Sequence, residues 1–250
     1  MSGHSKWSTI KHKKAGKDAR RGKLFTKLIR EITVAAKTGG GDVNANSRLR
    51  LAVNNARGNN MPTDTIKRAI NKGIGGDDGQ DYETVIYEGY GPNRIAVVVE
   101  ALTDNRNRTI ASLRTAFNKF DGTLGGPNTV LYMFDRKGVL RIPTSAIDED
   151  RLTETILEAG AEDLDTDQAD YVVTCPLEAL EEVKAALEQH GIEIRTAELA
   201  QIPQTRVMID DKEQAEQVLG FLELLEEDDD VQNVFSNFDL SDAVVAALGE

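Results

Sequence analysis

Lys6, Lys11, Lys13, Lys14 and Lys17 crowd one short stretch with Trp7 among them, and Arg20, Lys23, Lys27 and Arg30 follow at helical spacing. Cationic side chains at that density share one chemistry: they neutralise the phosphates of a polyanion and release its counterions. Trp7 adds either a flat face for stacking on an unpaired base or a plug against Phe25 in a core. Arg48, Arg50 and Arg57, with Asn54 and Asn55, are the side chains of a type that reaches base edges. Residues 1–76 hold 17 Lys+Arg against 4 Asp+Glu, a balance of +13, whereas the remaining 174 hold 13 against 38, a balance of −25. The formal charge of −12 therefore conceals a basic module, and nucleic acid is the expected partner.

Other chemistries find little support in the residue types. His4, His12 and His190 are far apart and lack Cys or carboxylate neighbours at ligand spacing, so no zinc site is expected. Asp210-Asp211 and the run Glu226 to Asp230 carry charge without a convergent set of oxygen ligands and read as solvated surface. The single cysteine, Cys175, excludes an intramolecular disulfide, fits a reducing compartment, and in its apolar strand reads as a buried small hydrophobe. Asp104-Asn-Arg-Asn-Arg108 opens a helix: Thr103 or Asp104 serves as its cap, and Arg106 and Arg108 remain for a phosphate or an interdomain carboxylate. No Ser-His-Asp, Cys-His or paired-carboxylate set is visible, so a non-enzyme without a cofactor is expected. The basic N-terminus precedes no uncharged apolar stretch, so neither a signal peptide nor a membrane partner is expected, and a soluble, cytoplasmic protein is.

The basic residues need elements to hold them. Residues 1–17 offer too little apolar surface to offset the entropy of ordering and read as an arm, mobile when free. A helix from Asp18 to Thr38, stopped by Gly39-Gly-Gly41, puts Leu24, Phe25, Leu28, Ile29, Ile32, Ala35 and Ala36 on one face and Arg20, Lys23, Lys27, Arg30 and Lys37 on the other. Asn46 is placed to cap a second helix, Ser47–Arg57, with an apolar stripe of Leu49, Ala52, Val53 and Ala56. Thr63 is placed to cap a third, Asp64–Lys72, whose start lacks the Arg, Asn or Gln of a recognition helix.

Beyond the glycine-rich linker 73–79, the pattern changes to strands. Thr84–Tyr90 and Ile95–Thr103 flank Gly91-Pro92-Asn93 as a hairpin, a helix runs to about Phe120, and Thr129–Phe134 reads as the next strand. A second set follows: strand Val139–Ile142, helix Asp148–Ala159, a weak strand near Glu162–Thr166, strand Tyr171–Cys175, helix Leu177–Gln189 and strand Ile192–Ala200. That is the split βαβ, ferredoxin-like order. The first set stops short, leaving helix Lys212–Leu225 and strand Val231–Phe235 at the C-terminus to complete it. The expected fold is α+β: a basic helical domain with its arm at 1–76, a discontinuous ferredoxin-like-type domain from 80–137 and 203–240, and a second such domain, 138–202, inserted in it.

Several of these segments carry a resemblance. Gly3-His-Ser-Lys-Trp7, Arg21-Gly-Lys23, Phe25, Gly39-Gly-Gly-Asp42, Asn60-Met-Pro62, Tyr87-Glu-Gly-Tyr-Gly91, Thr103-Asp-Asn-Arg-Asn-Arg-Thr109, Gly160-Ala-Glu-Asp163 and Asp229-Asp-Val-Gln-Asn-Val234 together resemble the YebC/PmpR family from end to end. The resemblance implies a three-domain α+β protein. It implies a probable DNA-binding transcriptional regulator, the PmpR branch being associated with quorum-sensing control. Relatives such as the mitochondrial translational activator of cytochrome oxidase imply, alternatively, a ribosome-bound translation factor that relieves stalls at proline-rich stretches. Under either, the arm from Gly3 to Trp7 and Lys11, Lys13 and Lys14 match the family pattern and carry the binding. A third expectation, from charge alone, is an acidic protein-interaction scaffold.

Overall fold

The computed structural model describes residues 17–75, 82–167 and 169–249, and they form two compact units. One unit consists of 82–135 with 201–249; the other consists of 17–75 with 136–200. The α+β class expected from the pattern is the observed one. The arm, Trp7 included, and most of the glycine-rich linker lie outside the described residues.

In the second unit three helices come first: α1 (Lys17–Gly39), α2 (Ser47–Gly58) and α3 (Thr63–Ile74). The stop of α1 is the expected one, with Gly40 at φ +84°, a conformation that disfavours a side chain, and its N–H bonded to the Ala36 carbonyl at 2.9 Å. Ile32, Ala35 and Ala36 bury against Leu49, Val53 and Ala56 of α2 and Ile66 and Ala69 of α3. Leu24 departs from the predicted apolar face and stays 40% exposed, since it lies in the part of α1 that runs beyond its neighbours' core. Asn46 caps α2 as expected: its Oδ1 accepts from the Leu49 N–H at 3.0 Å, while its Nδ2 donates to the carbonyls of Ala35 and Gly40, tying the α1–α2 turn to both helices. Thr63 is not the cap of α3. It is the first helical residue, and Pro62, with φ fixed at −58°, turns the chain into the helix without a side-chain bond.

The same unit holds a four-stranded sheet and two helices from 136–200. Strand β4 (Phe134–Pro143) leads to α5 (Glu149–Glu158), then β5 (Asp163–Asp167), β6 (Asp170–Pro176), α6 (Leu180–Gln189) and β7 (Thr196–Pro203). Sheet order is β5-β6-β4-β7, with β6 antiparallel to both β4 and β5, the ferredoxin-like arrangement. Leu140, Ile142, Leu152, Ile156, Val173, Val183 and Leu187 fill its core. The last strand starts later than expected, at Thr196; Ile192 is buried, but it follows Gly191 at φ +69° and belongs to the turn out of α6.

The first unit opens with β1 (Glu83–Tyr90) and β2 (Ala96–Thr103), paired antiparallel from Glu83↔Thr103 to Tyr90↔Ala96, followed by α4 (Arg106–Lys119). The cap of α4 is Asn105, not Thr103 or Asp104: Asn105 Oδ1 accepts from the Arg108 N–H at 3.1 Å, while Thr103 Oγ1 accepts from the Asn105 N–H. The expected strand Thr129–Phe134 is also absent. The Glu88 carboxylate, 4% exposed, accepts from the backbone N–H groups of Asn128, Val130 and Leu131 at 2.7–2.9 Å, and so takes the donors a ladder would use. A two-residue strand, β3 (Thr123–Leu124), pairs with β1 instead.

The C-terminal segments close this unit. After the short β8 (Val207–Ile209), α7 (Lys212–Glu226) packs beside α4, with Phe117 and Phe221 edge to face at 4.9 Å between ring centroids. Strand β9 (Val231–Ser236) pairs antiparallel with β2, giving the order β3-β1-β2-β9. Three elements here were not expected: the strand β8, β10 (Phe238–Leu240), which runs parallel to it, and α8 (Asp242–Gly249).

Candidate nucleic-acid interface

Residues 17–75 contain 13 Lys and Arg against 4 Asp and Glu, so a cationic surface is unavoidable once three helices bury their apolar stripes. Lys17 and Arg20 fall in the first turn of α1, whereas Lys6, Lys11, Lys13 and Lys14 lie outside the described residues. Lys23 and Lys37 are exposed, and Lys27 and Arg30 are half-buried. Val34 lies in the same angular sector as these four and is nevertheless 7% exposed, so that face of α1 is not the uniformly solvated one predicted by periodicity.

The candidate base readers on α2 have other tasks. Arg48 donates to both carboxylate oxygens of Glu31 on α1, at 2.8 and 3.3 Å. Arg50 donates to the Asn44 carbonyl at 3.1 Å and pairs with Glu181 of α6 at 3.4 Å. Asn55 Oδ1 accepts from the Ala197 N–H of β7 at 3.2 Å. Leu51 packs on the core beneath the sheet, and Gly58 lies so close to the Arg195 carbonyl that any Cβ would overlap it. The outer side of α2 is thus a docking surface for the 136–200 portion. Arg57 stays exposed at the end of α2, and Lys67, Arg68 and Lys72, none of them among the expected binding residues, are exposed on α3. Their signal in the sequence was visible as spacing: Arg68 and Lys72 are four apart on one flank of α3.

The arginines at the start of α4 serve the fold. Arg106 forms a bidentate pair with Glu83, which holds the Glu83 carboxyl below the usual range. Arg108 pairs with Asp104 at 2.9 Å and with Asp230 at 2.7 Å. Asp230, 4% exposed, also accepts from Thr109 Oγ1 at 2.8 Å and Thr103 Oγ1 at 3.2 Å. This corrects the reading of 226–230 as solvated charge: its last member is the centre of a buried network. Cys175 is fully buried as expected, and desolvation pushes its thiol up to about 11. Among the described residues no group of His, Cys, Asp and Glu is placed to hold a metal ion, and no helix is long and apolar enough to cross a membrane.

The chain matches known proteins over nearly its whole length. Residues 5–76 match the TACO1/YebC protein N-terminal domain, and 82–238 match the TACO1/YebC second and third domain. It is 54% identical to a probable transcriptional regulatory protein of Trichlorobacter lovleyi, covering 96% of this chain and 97% of the other. It is 50% identical to one of Chlorobaculum tepidum, with both chains covered in full. A crystal structure of a conserved hypothetical protein from Aquifex aeolicus superposes with a TM-score of 0.85 at 46% identity, covering 93% of this chain and 96% of that one.

Proposed function

The chain belongs to the TACO1/YebC family, and from that premise we propose a non-enzymatic regulator of gene expression that works by binding nucleic acid through its basic helices. The observation that carries this reading is the excess of 13 basic over 4 acidic residues in 17–75, in a chain that is otherwise strongly acidic. The names of the relatives point to transcription, so duplex DNA is the first target. Cys175 supports the non-enzymatic side, because a buried thiol whose pKa is raised to about 11 is not a nucleophile near neutral pH.

How the DNA would be read follows from α2. With Arg48 and Arg50 in ion pairs and Asn55 holding β7, the binding reads backbone and shape more than base edges. The same observation favours a second reading, ribosomal RNA, where recognition rests on shape, phosphates and unstacked bases. Salt-titrated binding of the full chain to duplex DNA and to ribosomal RNA tests both. A log–log slope equivalent to roughly five to eight phosphates is expected on the true target. A slope near zero on both would refute the proposal.

A further inference from the structure

We propose that the seam between α1 and α3 is a clamp for the phosphate backbone of a nucleic-acid duplex, with Arg30 and Lys37 on one side and Arg68 and Lys72 on the other. The proposal rests on the nucleic-acid reading above and assigns it to a surface. The two helices meet at small residues. Thr33 Oγ1 donates to the Ala69 carbonyl at 3.3 Å, and a Cβ on Gly73 would lie 2.8 Å from Ala36 Cβ and 3.1 Å from the Lys37 nitrogen. Backbones this close leave long side chains only the outer edges of the seam.

Helix geometry says which side chains those are. At roughly 100° per residue, Lys37 and Arg30 lie about 40° and 60° from Thr33, turning away from buried Ala36 and Ile32. On α3, Lys72 and Arg68 lie about 60° and 100° from Ala69, turning away from Gly73 and buried Ile66. Ile32 and Ile66 share one core, so the basic flanks of both helices emerge on the same, outer side. Along α1 the two cations are about 10 Å apart, and along α3 about 6 Å. Glu31, the carboxylate in the middle of α1, lies on the other side of that helix, with Arg48 of α2.

Cations in the last turn of a helix complement its dipole, which accounts in part for Lys37 and Lys72, and Arg68 donates to the Asp64 carbonyl and to Thr65 Oγ1 of its own helix at 3.3 Å, neutral acceptors that leave its charge unneutralised. The alternative surface, the outer side of α2, is covered by the 136–200 portion, which contains 6 Lys and Arg against 16 Asp and Glu and would repel phosphate. The seam is on the opposite flank of α1 from α2; Lys37, Arg68 and Lys72 are exposed there, and Arg30 is half-buried beside buried Val34.

The test uses the full chain, with two duplex DNAs of unrelated sequence and one duplex RNA as probes. The double variant R68E/K72E is compared with R114E/K119E, which makes the same charge change on exposed residues of α4. Circular dichroism and thermal melting verify that both fold. For R68E/K72E we expect roughly tenfold weaker binding, by the same factor on both DNAs, and a salt slope smaller by about two phosphates. R114E/K119E should stay within about twofold of the parent chain, because α4 supplies no cation to the clamp and the pair controls for the change in net charge alone. The probe on which the loss is read, DNA, RNA or both, names the duplex. If the parent chain binds and R68E/K72E keeps its affinity and slope, the seam is overturned while the nucleic-acid reading stands. Equal weakening by R114E/K119E, or a loss confined to one DNA sequence, overturns it as well. If the parent chain binds none of the probes, the nucleic-acid reading itself has failed.

Discussion

Replacing Asp230 with alanine should destabilise the 82–135/201–249 unit by about 3 kcal/mol, through the loss of acceptors for buried hydroxyls. Asp230 stands immediately before β9 and accepts from Thr103 Oγ1 and Thr109 Oγ1, both on residues that are fully buried. Thr109 Oγ1 keeps the Asn105 carbonyl at 3.1 Å as a neutral acceptor, so what each hydroxyl loses is a charged acceptor, worth about 1.5 kcal/mol. The Arg108 side chain is 54% exposed, so its attraction to Asp230 is screened and adds about 1 kcal/mol or less. This sets an order: Asp230→Ala should exceed Arg108→Ala. Urea unfolding followed by hydrogen exchange resolves the two units. Peptides from β2 and α4 should lose their protection at a midpoint roughly 1–2 M lower, while those from α1 to α3 are unchanged. A loss below about 0.5 kcal/mol, or Arg108→Ala as damaging as Asp230→Ala, would refute the view that the network is held by buried hydroxyls.

Glu88→Gln should speed amide exchange at Asn128, Val130 and Leu131 and cost about 2–3 kcal/mol, because an amide presents one oxygen where the carboxylate presents two to three donors. Unchanged exchange there would show that the segment is held by Val130 and Phe134 packing on the sheet instead. Gly58→Ala raises helix propensity by about 1 kcal/mol, yet it should destabilise the docking of α2 on the 136–200 portion, because the new methyl meets the Arg195 carbonyl. The readout is exposure of the Ala197 amide to exchange, with α1 to α3 retaining their helicity. Cys175 should resist thiol reagents at pH 8 in the folded chain and react on unfolding. Burial raises its pKa from the ordinary thiol value of 9.0 to about 11 on folding, so the unfolded chain releases the proton first and stability falls as pH rises from about 9 to 11; Cys175→Ala should flatten that fall.

Much of the fold was legible because local signals and long-range packing agreed. The Asn46 cap, the Gly39–Gly41 stop and the β-α-β-β-α-β order of 136–200 follow from turn chemistry and periodicity. The failures share a cause. Val130 to Phe134 is apolar enough for a strand, but Glu88, some 40 residues earlier, captures its amides. Phe238–Leu240 is too short to show a period, and it becomes a strand only because Val207–Ile209 offers an edge for it. Leu24 fits the apolar stripe of α1, but the neighbouring helices are too short to reach it. In each case the deciding partner is distant in sequence.

The same reasoning identifies basic residues that serve the fold. Arg106 and Arg108 were open to a phosphate or an interdomain carboxylate, because nothing near them in sequence, Asp104 aside, opposes their charge. Their counter-ions, Glu83 and Asp230, arrive from β1 and from the start of β9. Arg48 and Arg50 were likewise matched by Glu31 and Glu181, the second of them 131 residues away. An isolated pair of arginines in an acidic chain will usually meet a carboxylate on folding, so local charge there says little about ligands. Residues 17–75 differ in that the excess, 13 against 4, is larger than their own acids can match. Arg48 pairs with Glu31 of α1, and Arg50 pairs with Glu181 where α2 docks on the acidic portion. Exposed basic side chains remain on α1 and α3: Lys23 and Lys37 on the face that periodicity predicted for α1, and Arg68 and Lys72 four residues apart on one flank of α3.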